Sequence, residues 1–179
     1  MTAQISIATA ADIEEIDKCN RAVLPENYSR EFYDALFASP NCCNIVVRMA
    51  EQQQPSQSEN GEQKKIENDE QKVEPTVTEK NSTQPNGKFA GYILAVAQKD
   101  GKGQTILHIL SLGVYEEYRR HKIGTVLLKC VEQMANQKFS DMKYMMLNVR
   151  KHNNVAYQCY TKNGFSRQST EHDYYKTSA

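Results

Sequence analysis

A basic, glycine-containing turn at residues 119–125 separates an apolar run, residues 106–114, from an amphipathic run that begins at Val126. A strand that leads through such a turn into a helix points backbone N–H groups and the positive end of the helix dipole toward one place. The turn has neither G-x-G-x-x-G spacing nor a Walker lysine after a glycine. It therefore predicts a pyrophosphate-binding loop of another kind, and the alternative is a solvated connection between two elements.

The chain has 179 residues and a formal net charge of +0. This length suits one α/β core, and a neutral chain has no overall attraction to nucleic acid or to a membrane surface. The sequence shows no N-terminal charged-then-apolar segment and no long apolar span. We therefore expect a cytoplasmic protein without nucleic-acid or membrane partners.

The five cysteines are odd in number and are not spaced as metal ligands with the four histidines. They are Cys19, Cys42, Cys43, Cys130 and Cys159. Such a pattern is typical of reduced, mostly buried thiols rather than of disulfides or zinc sites. We therefore expect free thiols and no metal site.

Residues 51–87 form a polar, low-complexity segment rich in Gln, Glu, Lys, Ser, Asn, Pro and Thr. Its branched apolar residues, Ile66, Val73 and Val77, are too few to offset the entropy of ordering the backbone. The flanking runs, 44–49 and 88–96, read as an antiparallel strand pair with a greatly enlarged loop. We expect one domain over residues 1–179 with a disordered insertion at 51–87. An inert insertion is favoured over a binding motif, because lengthening a loop costs little stability.

Alternating and helical hydrophobic patterns place the other elements. In the short helix that begins at Ser29, the residues Phe32, Leu36 and Phe37 are expected to face inward. The order of elements predicts an α/β (α+β) fold, a mixed sheet with helices on its faces. The expected elements besides the strand pair are strand 5–8, a helix capped by Thr9, the helix from Ser29, strand 105–115, helix 125–138, strand 143–149, helix 153–162 ended by Gly164, and a strand pair from Phe165.

Several of these segments resemble one enzyme superfamily. The turn 119–125 resembles the coenzyme A loop of the GCN5-related N-acetyltransferase (GNAT) superfamily, with Lys122 in place of the usual first glycine. Residues 24–28, preceded by Cys19-Asn20, resemble the loop between the first two helices of the NatA-type N-terminal acetyltransferases. Residues 109–114, 118–120 and 123–125 are similar to the NatE and NatF types. Further matches are residues 147–151, Asn153, Ala156, Tyr160, Gly164-Phe165 and Tyr174-Tyr175.

The resemblance implies a site for acetyl-CoA. Backbone N–H groups at Leu112, Gly113 and Val114, where strands of the family bulge, would hold the thioester oxygen and the pantetheine. Tyr160 matches the family position proposed to protonate the leaving sulfur, although a tyrosine at this helical spacing is otherwise ordinary core. The pyrophosphate would bind Arg119, Arg120, His121, Lys122, Ile123, Gly124 and Thr125, and the other side would be lined by Asn153, Asn154, Tyr157 and Tyr160.

The resemblance also implies a pocket for a protein N-terminus. NatE relays the amine proton through a tyrosine and a histidine, and this chain has His108 and Asn148 at those positions. Because Asn148 cannot act as a base, the candidates are His108, Glu26 through a water, or solvent. Strand alternation would turn His108 the same way as Leu110 and Leu112, and the alternative is a histidine that only fills the pocket wall. The pocket would be lined by Leu24, Pro25, Glu26, Tyr28, Leu110, Asn148, Tyr174 and Tyr175, the last two of which could instead finish a sheet edge.

The kind of amine can be weighed by its pKa. An α-amino group becomes neutral at pH 7 at a cost of about 1 kcal/mol, whereas a lysine amine costs more than about 4 kcal/mol. A weak general base is therefore tolerable for N-terminal substrates and damaging for lysine substrates.

We therefore expect an acetyl-CoA-dependent enzyme that acetylates protein N-termini by direct attack in a ternary complex, without a cysteine intermediate. The alternatives are a lysine acetyltransferase, or a catalytically weak acetyl-CoA-binding regulatory protein. The second is suggested by Asn148 and Lys122, which depart from the family pattern. An auxiliary subunit that docks the enzyme to ribosomes is a further candidate partner.

Overall fold

The computed structural model describes residues 2–50 and 87–170. Contacts divide the chain into two compact units, Met1–Leu147 and Asn148–Ala179. The described part of the first unit holds one five-stranded sheet in the order β1-β2-β3-β4-β5. Its strands are β1 (Ala3–Ile7), β2 (Ile45–Met49), β3 (Lys88–Lys99), β4 (Thr105–Val114) and β5 (Tyr144–Leu147).

Three helices of the first unit accompany the sheet: α1 (Ile13–Val23), α2 (Arg30–Ala38) and α3 (Ile123–Lys138). Short 3-10 turns, Ala10–Asp12 and Glu116–Tyr118, precede α1 and α3. The second unit contains α4 (Asn154–Lys162). None of the helices in the described ranges combines the length and apolar character that crossing a membrane requires.

The first four strands pair antiparallel, and β5 joins β4 in parallel. The pairing of β2 with β3, for example Ile45 with Ile93, confirms the strand pair expected on either side of the insertion. The insertion itself lies outside the described residues, apart from Gly87, as does the end of the chain after Thr170. Residues 165–170 form no strand, so the final strand pair is not found where Phe165 was expected to begin it.

Both faces of the central strands are buried. Tyr92 and Leu94 join the apolar cluster made with α1 and α2, which includes Ile16 and Leu36. The alternate residues of β3, such as Ile93, are equally buried, and α3 packs against β2, β3 and β4. Helices therefore cover two faces of the sheet, as the mixed-sheet prediction requires.

Local sequence signals explain where the first helices begin. The Thr9 N–H donates to Asp12 Oδ2 at 2.7 Å, and the Ser29 hydroxyl accepts from the Phe32 N–H at 3.3 Å. The first is the return contact of a capping box, in which the Asp12 carboxylate accepts from the N-cap N–H, and the second is an N-cap contact made by the Ser29 side chain. The inward face of α2 differs from the prediction, because Tyr33 and Leu36 are buried while Phe32 is only partly so.

A buried ion cluster ties β2 to the start of α1. Arg48 donates to Asp12 Oδ1 at 2.7 Å and to Glu15, and its guanidinium lies 5.4 Å from the Phe89 ring centroid. The Arg48 side chain is 5% exposed. Because removing one partner of a buried pair leaves an uncompensated charge, this cluster is a sensitive point of the fold.

Candidate active site

Strand β4 carries one extra residue in its pairing with β3. Ser111 pairs with Leu94 and Ile109 with Ala95, so Leu110 has no partner on β3 and forms a β-bulge. Leu112, Gly113 and Val114 keep a regular register with Ile93, Tyr92 and Gly91. A bulge was expected at residues 112–114, and this prediction is wrong by about two positions, because the bulge lies at Leu110.

The bulge also reverses which face the side chains occupy. His108 pairs with Val96, on the face of Leu94 and the α1–α2 cluster, and Leu110 packs against that same cluster. After the extra residue, Leu112 pairs with Ile93 on the opposite face. A one-residue shift moves every later side chain to the other face of a strand. His108 therefore faces the same way as Leu110, as predicted, but not the same way as Leu112.

The far half of β4 has an edge without a strand neighbour among the described residues. Strand β5 pairs only with residues Ile106 to Ile109. The Tyr115 N–H donates to Ala90 O of β3, whereas Val114 O accepts from Arg119 Nε at 3.2 Å. Because backbone groups alternate between the two edges of a strand, Leu112 and Val114 direct their N–H groups away from β3. The Gly113 N–H faces β3 instead, so the prediction that it donates to the coenzyme is wrong. This edge can donate hydrogen bonds to an extended ligand.

The basic turn leads from that edge to α3 and has an unusual backbone. Arg120 and Lys122 adopt positive φ values of 70° and 61°, and Lys122 is the N-cap of α3. Where left-handed residues alternate with right-handed ones, successive backbone N–H groups point into one concavity that can bind an anion. Since Lys122 takes the conformation that favours glycine, its replacement of the family's glycine leaves the loop shape intact.

The side chains of the turn surround this concavity without closing it. Arg119, Arg120, His121 and Lys122 are exposed, and His121 Nδ1 lies 2.9 Å from the Arg119 carbonyl oxygen. The first turn of α3 contains no acidic residue. Its leading N–H groups lack intrahelical acceptors, and the helix dipole adds partial positive charge there. The arrangement suits a phosphate-bearing ligand.

The loop between α1 and α2 contacts the bulge directly. The Tyr28 hydroxyl donates to the Leu110 carbonyl at 3.0 Å, and the Tyr28 ring stacks on Phe32 with centroids 4.3 Å apart. Leu24, Glu26 and Tyr28 are half-buried and Pro25 is exposed. The structure therefore brings the predicted acceptor residues Tyr28 and Leu110 together.

His108 lies two residues before the bulge and is half-buried. Burial lowers the pKa of His108 below its ordinary value of 6.5, because desolvation disfavours the charged imidazolium. At neutral pH its imidazole is therefore predominantly neutral and able to accept a proton.

The remaining predicted residues belong to the second unit or lie beyond Thr170. Asn153 caps α4, and its Oδ1 accepts from the Ala156 N–H at 3.1 Å. The Tyr160 ring packs edge-on against Phe165 with centroids 5.8 Å apart. Tyr157 and Asn154 are exposed and Asn148 is half-buried. Tyr174 and Tyr175 lie outside the described residues.

All five cysteines are free thiols, as expected from the sequence. Burial raises the pKa of Cys19 to about 12 and that of Cys43 to about 11. Burial also raises the pKa values of Cys130 and Cys159. Because only the thiolate is a good nucleophile, these four side chains are inert at neutral pH.

Three buried polar residues beside the bulge were not predicted to belong to the site. Asn20, Tyr92 and Ser111 hydrogen-bond to one another, and Asn20 also binds the backbone of Glu26. Ser111 gave a weak signal in the sequence as a polar residue within an apolar strand. Asn20 belongs to the segment that resembles the NatA-type loop, but the resemblance gave it no role.

Comparisons with known proteins identify one family and several relatives. A family model described as "Acetyltransferase (GNAT) family" matches residues 13–165. The chain is 25% identical over 170 residues to the N-terminal acetyltransferase A complex catalytic subunit NAA10 of Arabidopsis thaliana, with 94% of this chain and 69% of that protein covered. It is 36% identical over 75 residues to the probable N-acetyltransferase san of Drosophila melanogaster, which covers 42% of this chain and 40% of that protein.

A solved structure of the same fold is Arabidopsis thaliana Naa50 in complex with the bisubstrate analogue CoA-Ac-MVNAL. It matches with a TM-score of 0.66 at 19% sequence identity, covering 98% of this chain and 90% of that chain. At this identity the match shows a shared fold. The family match extends from α1 to the end of α4, which confirms the resemblance drawn from the motifs, and the chain belongs to the acetyltransferase (GNAT) family.

Proposed function

We propose that the protein transfers the acetyl group of acetyl-CoA to the α-amino group of protein N-termini. The observation that carries this proposal is the open edge of β4 at Leu112 and Val114, which is followed, after the 3-10 turn Glu116–Tyr118, by the left-handed turn before α3. The relative NAA10, named as a catalytic subunit of an N-terminal acetyltransferase complex, supports the choice of acceptor. The cellular setting that we propose is the cytoplasm.

The residues on the donor side fit acetyl-CoA. An extended pantetheine arm can accept from the outward N–H groups of Leu112 and Val114, as a further strand would. The concavity formed by Arg120, Lys122 and the start of α3 suits the pyrophosphate, with Arg119 and His121 nearby. Asn153, Asn154, Tyr157 and Tyr160 remain the proposed contacts from the second unit.

The acceptor is assigned to the side of the bulge where α1 and α2 lie. Leu24, Pro25 and Glu26 belong to the loop that Tyr28 joins to Leu110. This places apolar and acidic groups near a strand that carries the proposed oxyanion donors. The sequence resemblance alone assigns Asn148, Tyr174 and Tyr175 to the proposed pocket.

The reaction requires two proton movements. One proton must leave the amine as its nitrogen bonds to the acetyl carbon, and one must reach the sulfur as the carbon–sulfur bond breaks. Acetyl-CoA supplies the acetyl group and the leaving thiol. Neutral His108 is the proposed proton acceptor, with Glu26 through a water or solvent as alternatives, and Tyr160 is the proposed donor. The protonated cysteines are consistent with direct attack rather than an acyl-cysteine route.

Paired peptides test the proposal. Two peptides of identical sequence, each with an internal lysine, would be incubated with acetyl-CoA, one with a free and one with a blocked N-terminus. Mass spectrometry with fragmentation should find acetylation at the free N-terminus and none on the blocked peptide. Lysine acetylation of both peptides would favour the lysine acetyltransferase alternative, and coenzyme binding without product would favour the regulatory one.

Initial rates with both substrates varied would test the ternary complex. Direct attack should give intersecting double-reciprocal lines, whereas a covalent enzyme intermediate would give parallel lines. An auxiliary subunit that docks the enzyme to ribosomes stays a proposed partner. Isolating the tagged protein from extracts with ribosomes and from extracts without them would show whether such a subunit is bound.

A further inference from the structure

Three buried polar side chains beside the bulge have no part in the chemistry proposed above. Asn20 of α1 and Tyr92 of β3 are fully buried, and Ser111 of β4 is 6% exposed. They come from three separate elements and meet only in the folded protein. Because burying polar groups is costly unless they are hydrogen-bonded, such a group is retained only where its bonds are satisfied.

The three side chains satisfy one another. The Tyr92 hydroxyl donates to Asn20 Oδ1 at 2.6 Å, and the Ser111 hydroxyl lies 3.2 Å from the same oxygen. The two hydroxyl oxygens are 2.8 Å apart. Burial raises the pKa of Tyr92, so its hydroxyl keeps its proton. The result is a closed polar triangle between α1, β3 and β4.

The side-chain amide nitrogen of Asn20 contacts the acceptor loop, residues 24–28 between α1 and α2. Asn20 Nδ2 donates to the Glu26 carbonyl oxygen. A carbonyl can only accept, so this contact fixes which end of the amide faces the loop and which faces the two hydroxyls. Asn20 thus connects the sheet to the loop through both ends of one side chain.

A second link runs parallel to the first. The Tyr28 hydroxyl donates to the Leu110 carbonyl, next to Ser111 in the chain. Loop residues 26 and 28 are therefore joined to strand residues 111 and 110, one through Asn20 and one directly. The two links together resist both translation and rotation of the loop against the bulge.

We propose that Asn20 is a positioning residue for the N-terminal substrate. It holds the loop 24–28 at a fixed distance from the β4 residues that follow the bulge. The inference rests on the proposed function, because the loop is assigned as the acceptor wall and the strand as the donor edge. Rates of group transfer depend steeply on that separation, since a misplacement of about 1 Å can lower a rate by roughly 100-fold.

Kinetics of three variants test the role. Asn20→Ala removes the contact with Glu26 and the contacts with the two hydroxyls, and should lower kcat/KM for the peptide by about 10- to 100-fold. Ser111→Ala removes one hydroxyl and should lower it by about 3- to 10-fold while the fold survives. Thr105→Val is the matched control, because it deletes a buried hydroxyl of the same strand that bonds to Asp141 at 2.6 Å, away from the loop. Its peptide kinetics should be unchanged.

Two further readouts separate positioning from general destabilisation. The acetyl-CoA Kd should stay within about twofold of wild type in all three variants, because none of the three altered side chains is a proposed contact to the donor. Hydrogen exchange of residues 24–29 should accelerate in Asn20→Ala and Ser111→Ala but not in Thr105→Val. Wild-type peptide kinetics in folded Ser111→Ala and Asn20→Ala would overturn the inference. A wild-type protein that acetylates no N-terminal peptide would instead refute the proposed function, so the two failures are distinguishable.

Discussion

Replacing Lys122 by glycine should stabilise the fold while weakening acetyl-CoA binding. Lys122 is the N-cap of α3 and has a φ of 61°, a conformation in which the Cβ of an L-residue crowds the backbone. Glycine removes that crowding and leaves the loop free to keep its shape. The same change removes an exposed ammonium group from the proposed pyrophosphate site.

The stability gain follows from two opposing terms. The left-handed conformation costs an L-residue about 1–2 kcal/mol. Glycine makes the unfolded chain more flexible, which costs the folded state about 0.4–1 kcal/mol. At the middle of these ranges the net gain is about 0.8 kcal/mol, which corresponds to a rise in Tm of roughly 2–3 °C for a domain of this size.

The matched control is Lys122→Ala, which removes the charge and keeps the crowded conformation. An exposed ion pair contributes up to about 1 kcal/mol, so both variants should bind acetyl-CoA up to about fivefold more weakly. Thermal denaturation and calorimetry measure the two effects separately. Equal Tm values for Lys122→Gly and Lys122→Ala would refute the argument from backbone strain, and unchanged coenzyme affinity in both would exclude Lys122 from the pyrophosphate site.

Three further changes probe the donor site, the proposed base and the fold. Gly124→Pro removes a backbone donor in the first turn of α3, where proline is tolerated, and should abolish acetyl-CoA binding in calorimetry while circular dichroism shows a folded protein. His108→Ala should lower turnover by roughly 10²–10⁴ near pH 7, and less above the amine pKa; a small, pH-independent loss would mean that the substrate deprotonates itself. Because burial lowers the pKa of His108 below 6.5, the unfolded chain binds that proton first as pH falls, and the wild-type free energy of unfolding should fall below pH 6.5 more than that of the variant. Arg48→Ala should cost about 3–5 kcal/mol of stability in urea denaturation, whereas Arg30→Ala, which breaks an exposed pair with Asp34, should cost less than about 1 kcal/mol.

Much of the fold follows from local sequence patterns. Thr9 and Ser29 mark the starts of the first helical segments, because the Asp12 carboxylate accepts from the Thr9 N–H and the Ser29 hydroxyl accepts from the Phe32 N–H. The apolar runs around the insertion pair as expected, since each carries enough branched residues to form a buried strand. Gly164 has a φ of 89° at the end of α4, where a glycine stop was predicted.

The features that escaped prediction depend on contacts between distant segments. Both Ile109 and Leu110 are apolar, so the sequence does not reveal which of them lacks a partner on β3. Strand alternation alone therefore placed Leu112 on the wrong face. Tyr33 is buried against the cluster because of where α2 packs, and no periodic pattern distinguishes it from Phe32. The meeting of Asn20 and Ser111 likewise exists only in the tertiary structure.

Gly113 shows how the donor and acceptor sides of the site depend on one another. The sequence predicted a backbone contact from Gly113 to the coenzyme, but its N–H faces β3, and a Cβ at this position would lie 2.7 Å from the Tyr92 ring and 3.1 Å from Val23. The absence of a side chain lets the Tyr92 ring lie against β4, where its hydroxyl reaches Asn20. Asn20 in turn holds the carbonyl of Glu26. The bulge at Leu110 turns Gly113 toward that ring and leaves its neighbours Leu112 and Val114 facing the open edge. One extra residue in β4 thus orients both the packing that supports the acceptor loop and the N–H groups proposed to bind the acetyl donor.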